Sequence, residues 1–480
     1  MDVEASWAVE TRAETVDAVI VGAGSAGLLA ALTLLRERPG ASVRIVDAGL
    51  PLDERGQAGP SLGGSGGAGL YLGGRLYVGP AAIPPVSPVS TAPGARPILT
   101  GAAYAELARQ VDALFTGLGA TAPVRDLPDE RLRELIVRAQ AVGLEYVTSY
   151  PARFLSAGER RHVLDGLFAE LRRAGAQFIY GAHVADIRRT SDRFALTLRP
   201  DGSAEGTSAR LEARALVLAP GRYGAEWLAG TATSLGADVV VLPSAFGVRL
   251  ELPASVYAPL TAINPDPRLQ LALASDAVVK TYATCPGGYV TPVTRYGRHV
   301  ASGVPVPADA RGPSTTVAVL VQPGMEGAAS AWAGGERAAQ RVNERYPGTL
   351  AVQRMGDIRA GQVTTAQAMG ANSVRPTYRD AVPGNVRDLY PDTFWQACDD
   401  LLGRIEQLAP GARSDEVLAY APAEERFWHF PTDGRMQTTV PGLFVAGDGP
   451  GHSQGIIQAG VAGTLAGRGA AAYLDERAGA

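Results

Sequence analysis

The sharpest change of hydrophobic period in the chain lies between Asp17 and Asp47, DAVIVGAGSAGLLAALTLLRERPGASVRIVD. Residues 18–21 form a short, apolar, β-branched run, the pattern of a strand buried on both faces of a parallel sheet. Helical spacing takes over from Ser25 to about Arg36, Pro39-Gly40 breaks it, and a second apolar run at 43–46 ends in Asp47. This order predicts a βαβ unit. Farther on, helical periodicity marks 100–118, 129–142 and 159–174, the last stopped by Gly175. Strands are expected at 176–180, 183–188, 193–198 and 209–212, with a turn at Asp201-Gly202, which together make a β-meander. A buried strand at 216–219 is turned by Pro220-Gly221. From 231 to about 424 the pattern is mixed, with strands near 239–242, 247–252, 288–294 and 316–321 and helices at 334–345 and 391–408. A last buried strand, 443–446, leads into a glycine-rich turn at 449–455 and a small-residue helix from about Ile456.

The turns between these elements carry chemistry. Gly22, Gly24 and Gly27 follow the first strand directly. The first permits a tight turn, the second lets backbone approach a pyrophosphate, and the third lets the helix pack on the strand. The helix start, with Ser25 and Ala26, presents free N–H groups and the positive end of a dipole to phosphate. Asp47 stands where an acidic side chain accepts hydrogen bonds from ribose hydroxyls. The same logic recurs in TVPGLFVAGDGPGHSQGIIQAG, where Gly447 turns the strand, Asp448 is the acid at its end and Gly455 precedes the last helix. Two such sites at opposite ends of the chain imply one long dinucleotide. The loop 56–79 interleaves its many glycines with Leu70, Tyr71, Leu76 and Tyr77, as expected of backbone that passes close to something flat. The proline-rich stretch 80–95 is expected to run extended.

Composition narrows the classes. A chain of 480 residues, 46% hydrophobic and 19% charged, reads as a folded protein of two or three domains. Its net charge of −4 disfavours nucleic acid as a partner. No stretch reads as a membrane span and the N-terminus shows no secretory pattern, so a cytoplasmic location with no membrane partner is expected. Cys285 and Cys398 form no CxxC pair and the histidines show no ligand spacing, so no metal site is expected. Arginine almost completely replaces lysine, Lys280 being the only one, which suits a GC-rich bacterial genome. Monomer and homodimer both stay open.

The order GAGSAG, VDAG, VLAPG, GLFVAGD resembles flavoproteins with the two-dinucleotide-binding-domain topology of glutathione reductase. That resemblance implies non-covalent FAD. It places Gly22, Gly24, Ser25, Ala26 and Gly27 at the ADP pyrophosphate, Asp47 and Ala48 at the adenosine ribose, and the Val184 backbone at the adenine. Gly447 and Asp448 fall at the ribityl chain and pyrophosphate. The backbone of Gly455, Ile456 and Ile457 faces the flavin pyrimidine carbonyl, where a helix dipole stabilises negative charge. Gly67, Ala68, Ala219, Pro220 and Gly221 complete the expected cofactor contacts. The stretches GGAGLYLGGRLY (66–77), KTYATCPGGYV (280–290) and FGVRLELP (246–253) are similar to a largely uncharacterised group of bacterial FAD-dependent dehydrogenases. The chain has Leu72 and Gly73 where that group has serine and aspartate, and FLSAGE where it has a HIGTD-like segment.

The fold expected is α/β. A Rossmann-like FAD-binding domain with a β-meander takes 14–95, 155–232 and 430–475, and a mixed α+β substrate or cap domain takes 96–154 and 233–429. Candidate catalytic residues are Lys280, His452 and Tyr282. Lys280 is either a compact cation beside the flavin or an ion-paired strand residue. His452, inside the late glycine-rich turn, is either a proton donor or acceptor or a ring tied to backbone. Arg75, Arg249, Cys285, Tyr289, Trp428 and His429 are candidate substrate contacts, the two arginines for an anion, with Cys285 read as a buried small hydrophobe. The function implied is hydride transfer from a small organic substrate, of specialised (antibiotic-type) metabolism, to flavin N5. The alternatives are a monooxygenase using NAD(P)H and oxygen, and a flavoprotein whose FAD is structural.

Overall fold

The computed structural model describes residues 13–55, 63–78, 99, 101–125, 129–147, 151–200, 208–274, 276–295, 298–306, 311–324 and 328–478. The chain divides into one unit of Met1–Asp126, Tyr150–Val241 and Trp428–Ala480 and another of Leu127–Ser149 and Leu242–Phe427. The expected extended run 80–95, the turn at Asp201-Gly202 and the beginning of the glycine loop, 56–62, lie outside the described residues.

In the first unit the opening strand is Glu14–Val21, the helix Ser25–Glu37 and the second strand Val43–Val46. They belong to a seven-stranded sheet ordered Gln177–Ile179, Val43–Val46, Glu14–Val21, Ala209–Leu218, Phe194–Pro200, Ala182–Arg189, with Leu443–Val445 also paired to Ala209–Leu218. The pairs around Glu14–Val21 are parallel and the meander is antiparallel. The separate strands expected at 209–212 and 216–219 are one element. Its N-terminal half pairs with Phe194–Pro200 and its C-terminal half with Leu443–Val445, so polar alternation gives way to a fully apolar run without any break in the backbone.

Two helices cover this sheet through small residues. A Cβ on Gly463 or Gly467 of the last helix, Ile456–Ala478, would lie 2.1 Å from the Ala26 carbonyl oxygen or 2.4 Å from that of Ala30. The helix therefore meets Ser25–Glu37 backbone to backbone. Gly101–Gly117 joins the same core with Tyr104, Leu107, Val111 and Phe115 buried. It lies in the first unit, whereas the sequence reading placed 96–154 as a whole with the second domain. The helix Ala157–Arg173 starts at Ser156, whose hydroxyl accepts the Glu159 N–H while the Glu159 carboxylate accepts the Ser156 N–H.

The second unit is built on an eight-stranded sheet ordered Val382–Pro383, Ala351–Arg354, Leu418–His429, Val240–Pro253, Ser314–Gln322, Val278–Cys285, Leu269–Ala272, Glu145–Tyr146. The strands expected at 239–242 and 247–252 are a single strand, Val240–Pro253, carried through Pro243. One face of the sheet is apolar. Val248, Leu250, Leu252, Val279, Val317 and Val319 pack there with Phe394, Trp395, Leu401 and Leu402 of the helix Asp392–Ile405. The helix Glu130–Ala141, N-capped by Asp129, contributes Leu132, Leu135 and Ala139 to this core. The hairpin Tyr289–Arg295 and Arg298–Val304 forms a separate two-stranded sheet. No helix among the described residues is long and apolar enough to cross a membrane.

Candidate functional site

Three loops of the first unit meet at the carboxyl end of the parallel strands. Gly22 turns at φ +107°, and a Cβ there would lie 2.2 Å from the Ala219 carbonyl oxygen, so the first loop touches the turn of Pro220-Gly221. Gly66 donates to the Ala23 carbonyl at 2.8 Å and bridges to Gly24, while a Cβ on Gly67 would be 3.0 Å from the Gly24 Cα. The glycine loop thus crosses the first turn. It continues through a π-helical turn, Gly69–Gly73, and the short strand Arg75–Tyr77 to the start of the last helix. There a Cβ on Gly69 would come within 3.0 Å of Ile456, and the Gln458 amide donates to the Tyr77 carbonyl at 3.2 Å.

Two arginines that the sequence did not single out hold this loop. The Arg55 guanidinium is buried, donates to the carbonyls of Gly64, Ser65 and Gly67 at 3.2, 2.5 and 3.0 Å, and lies 4.0 Å from the Tyr71 ring centroid. Burial pulls its pKa down to about 10 against the opposing charge of Asp47, so it remains a cation at neutral pH. Arg160 donates to the carbonyls of Tyr71, at 2.9 Å, and Leu72.

Asp47 accepts the N–H groups of Ala23 and Gly49 at 2.7 and 2.8 Å. It fixes both loops and keeps lone pairs for further donors. The meander is tied to the same point, since Gly181 and Ala182 donate to the carbonyls of Gly49 and Asp47 and Val184 follows two residues later. Asp448 forms a bidentate pair with Arg222, 2.9 and 2.7 Å, a third arginine that the sequence reading missed. A Cβ on Gly447 would lie 3.0 Å from the Ala26 side chain, and one on Gly449 2.7 Å from the Gly221 carbonyl oxygen. The predicted residues Gly22, Gly24, Ala26, Asp47, Gly67, Ala219, Gly221, Gly447, Asp448 and Ile456 are therefore linked by direct packing or through one intermediate residue.

Several polar atoms around these loops are enclosed and without a hydrogen-bond partner. They are Ser65 Oγ, His429 Nδ1, Thr432 Oγ1, His452 Nδ1, Ser453 Oγ and Gln458 Oε1. Buried groups of this kind call for a polar ligand or water. His452 is 1% exposed, its Nε2 lies 2.9 Å from the Phe430 carbonyl oxygen, and its ring stands edge-on to His429 with centroids 6.0 Å apart. Burial is the main cause of a pKa lowered to about 4. The ring is neutral at pH 7, with Nε2–H donating to Phe430 and Nδ1 left as an acceptor. Of the two roles expected for His452, a proton donor or acceptor and a ring tied to backbone, the Phe430 contact is that of the second, and burial opposes its protonation. Trp428 is buried and His429 half-buried beside it. Arg75 pairs in register with Phe154.

The remaining candidates lie in the second unit. Lys280 and Tyr282 are on Val278–Cys285, in register with Leu320 and Ala318, and Ala318 is in register with Arg249 on Val240–Pro253. Partners across an antiparallel sheet point to the same side. Lys280, Tyr282 and Arg249 thus share the face opposite the apolar core. Lys280 Nζ donates to Gln322 Oε1 at 2.6 Å and lies 5.7 Å from the Tyr282 ring centroid, and Arg268 lies 5.4 Å from it. Cys285 is buried at the start of the Pro286-Gly287-Gly288 turn, closed by Gly288 N–H to the Cys285 carbonyl at 3.1 Å. Tyr289, half-buried, opens the hairpin, and burial raises its phenol pKa.

No protein-family model matches the chain, and no curated protein matches it in sequence. Solved structures similar to it include a flavoprotein/dehydrogenase from Cytophaga hutchinsonii, at 12% identity over 97% of this chain and 79% of that one, TM-score 0.38. A p-nitrophenol 4-monooxygenase from Pseudomonas putida shows 13% identity over 97% and 81%, TM-score 0.37. CtdE in complex with FAD shows 11% identity over 96% and 82%, TM-score 0.35. Identities and scores this low assign neither a family nor an activity.

Proposed function

We propose that the protein is an FAD-dependent oxidoreductase, a dehydrogenase that takes hydride from a small organic substrate. The observation that carries this reading is the meeting, at the carboxyl end of one parallel sheet, of the Gly22–Gly27 turn, the Gly63–Tyr77 loop and the N-terminus of Ile456–Ala478. That is the arrangement an extended dinucleotide needs.

The residues present fit such a group. The backbone of Gly24, Ser25 and Ala26, at a helix start without a side-chain cap, is free to bind pyrophosphate. Asp47 keeps lone pairs for ribose hydroxyls. Arg222 offsets the charge of Asp448, so the carboxylate can stand near phosphate without net repulsion. The last helix directs its positive end, with the Ser453 hydroxyl unpartnered beside it, towards the place where the pyrimidine carbonyl would lie. When bound, FAD supplies the hydride-accepting centre, and the chain supplies orientation and electrostatics.

The purified protein is expected to be yellow, with FAD released by acid, and to be bleached by an organic substrate alone under anaerobic stopped-flow conditions. Bleaching only by NADH or NADPH, followed by oxygen-dependent product formation, moves the assignment to the monooxygenase. Bound FAD that no reductant bleaches moves it to a structural cofactor, and a protein that takes up no FAD sinks the proposal.

A further inference from the structure

The face of the second sheet that bears Lys280 and Tyr282 contains a buried cation that makes no ion pair among the described residues. Arg249 is 3% exposed. Its Nε donates to Thr316 Oγ1 at 3.1 Å, and its Nη2 lies 2.7 Å from Thr316 Oγ1, 2.7 Å from the Ala283 carbonyl, 3.2 Å from the Thr316 carbonyl and 3.3 Å from Cys285 Sγ. The hydroxyl and the two carbonyls among these acceptors are neutral. Among the described residues Nη1 donates to nothing and no carboxylate forms an ion pair with the group. Glu251, two residues along the strand, is turned to Tyr420, whose hydroxyl donates to it at 2.6 Å, and to the Thr377 N–H at 3.1 Å. Its other oxygen, Oε1, is buried without a hydrogen-bond partner, and Glu251 makes no ion pair with Arg249. Removing a guanidinium from water is costly unless an anion and hydrogen bonds compensate it, and here the direct contacts are hydrogen bonds alone.

The backbone around the group is specialised to receive it. The register slips between Tyr282 and Cys285, and Ala283 within that bulge holds φ +50°, a left-handed conformation that alanine seldom adopts. The bulge turns the Ala283 carbonyl onto Nη2. On the hairpin, a Cβ on Gly303 would lie 1.8 Å from Nη2 and 2.2 Å from Cζ, so only glycine admits the guanidinium there. Strain at one residue and a missing side chain at another both serve one charge, in the way that binding sites are preorganised.

We infer that Arg249 binds a carboxylate and that the substrate class is an organic acid, with Tyr282 on the same face two strands or about 10 Å away. Lys280, beside Tyr282 on the same face, adds to the positive field. This assignment rests on the oxidoreductase reading only in naming the bound acid a substrate.

The test is calorimetric titration of the FAD-loaded protein with benzoate and, separately, with benzamide, which has the same shape and no charge. Saturable binding of benzoate, with benzamide about tenfold weaker or more, is expected. Arg249→Met should weaken benzoate by about tenfold or more at unchanged FAD content, and Arg249→Lys should recover part of the loss. Absence of benzoate binding, equal affinity for acid and amide, or a folded Arg249→Met protein that binds benzoate like the parent overturns the inference. Should the methionine variant not fold, the acid-to-amide comparison on the unsubstituted protein decides alone. A colourless protein that still binds benzoate through Arg249 overturns the flavin reading and keeps the anion site, whereas an FAD-loaded protein indifferent to benzoate does the reverse.

Discussion

Gly22→Val is expected to give a protein that neither retains FAD nor holds the parallel sheet of the first unit together. Two effects coincide at this residue. Its φ of +107° lies where an L side chain is strained by about 1–3 kcal/mol, more for a β-branched one. Its Cβ would also lie 2.2 Å from the Ala219 carbonyl oxygen and 2.8 Å from the carbonyl carbon, backbone that cannot swing away as a side-chain tip can. Ala219 is itself fixed by its N–H to the Val21 carbonyl at 2.8 Å, and Gly22 by its N–H to Val46 at 2.8 Å. Relief therefore means parting strands, and overpacking of this kind adds about 1–3 kcal/mol or more. The sum is a large part of the roughly 5–15 kcal/mol by which a domain is stable. Gly40→Ala is the control. That residue holds φ +86° with nothing within 4 Å of a new Cβ, so it registers backbone strain alone, about 1 kcal/mol. Thermal unfolding followed by circular dichroism, with FAD content read from absorbance, should show a large loss for Gly22→Val and a small one for Gly40→Ala. Equal melting temperatures for the two would remove the steric argument.

What was legible in the sequence follows the range of the interactions. The βαβ unit was visible because its signals are local: Val43–Val46 and the start of the first helix at Ser25 fall where periodicity put them. The strands Val278–Cys285, Arg298–Val304 and Leu418–His429 were not foreseen. In the first and last of these, Thr281, Thr284, Glu424 and Glu425 are buried, so the alternation of apolar and polar residues that betrays a strand is erased. The arginines that build the site were hidden for another reason. Arg222 and Asp448 are 226 residues apart, and in a chain where arginine does nearly all cationic duty, nothing local marks Arg55, Arg160 or Arg222 as buried hydrogen-bond donors. Arg249 was singled out as an anion ligand, yet its meaning comes from the bulge at Ala283 and the gap at Gly303, neither of which periodicity reveals.

Acidification should unfold this protein partly through His452. Its pKa in the folded chain is lowered from 6.5 to about 4, chiefly by burial. Below pH 6.5 the unfolded chain takes up a proton that the folded chain refuses, so the unfolded state binds more protons and stability falls with pH. The contribution is complete above pH 6.5, declines as the pH drops towards 4, and levels off below that, amounting to at most about 3 kcal/mol. His429, whose pKa burial also lowers, acts in the same direction. His452→Gln keeps an amide N–H for the Phe430 carbonyl and removes the titration, so between pH 7.5 and 4.5 its denaturation midpoint should fall less steeply than that of the parent. Carboxylates titrate alike in both proteins, and the difference between the two curves isolates the imidazole. Parallel curves would mean that the ring is protonated as readily folded as unfolded. His452 would then suit the role of proton donor, since only an imidazole near its ordinary pKa is charged often enough at neutral pH to give a proton away.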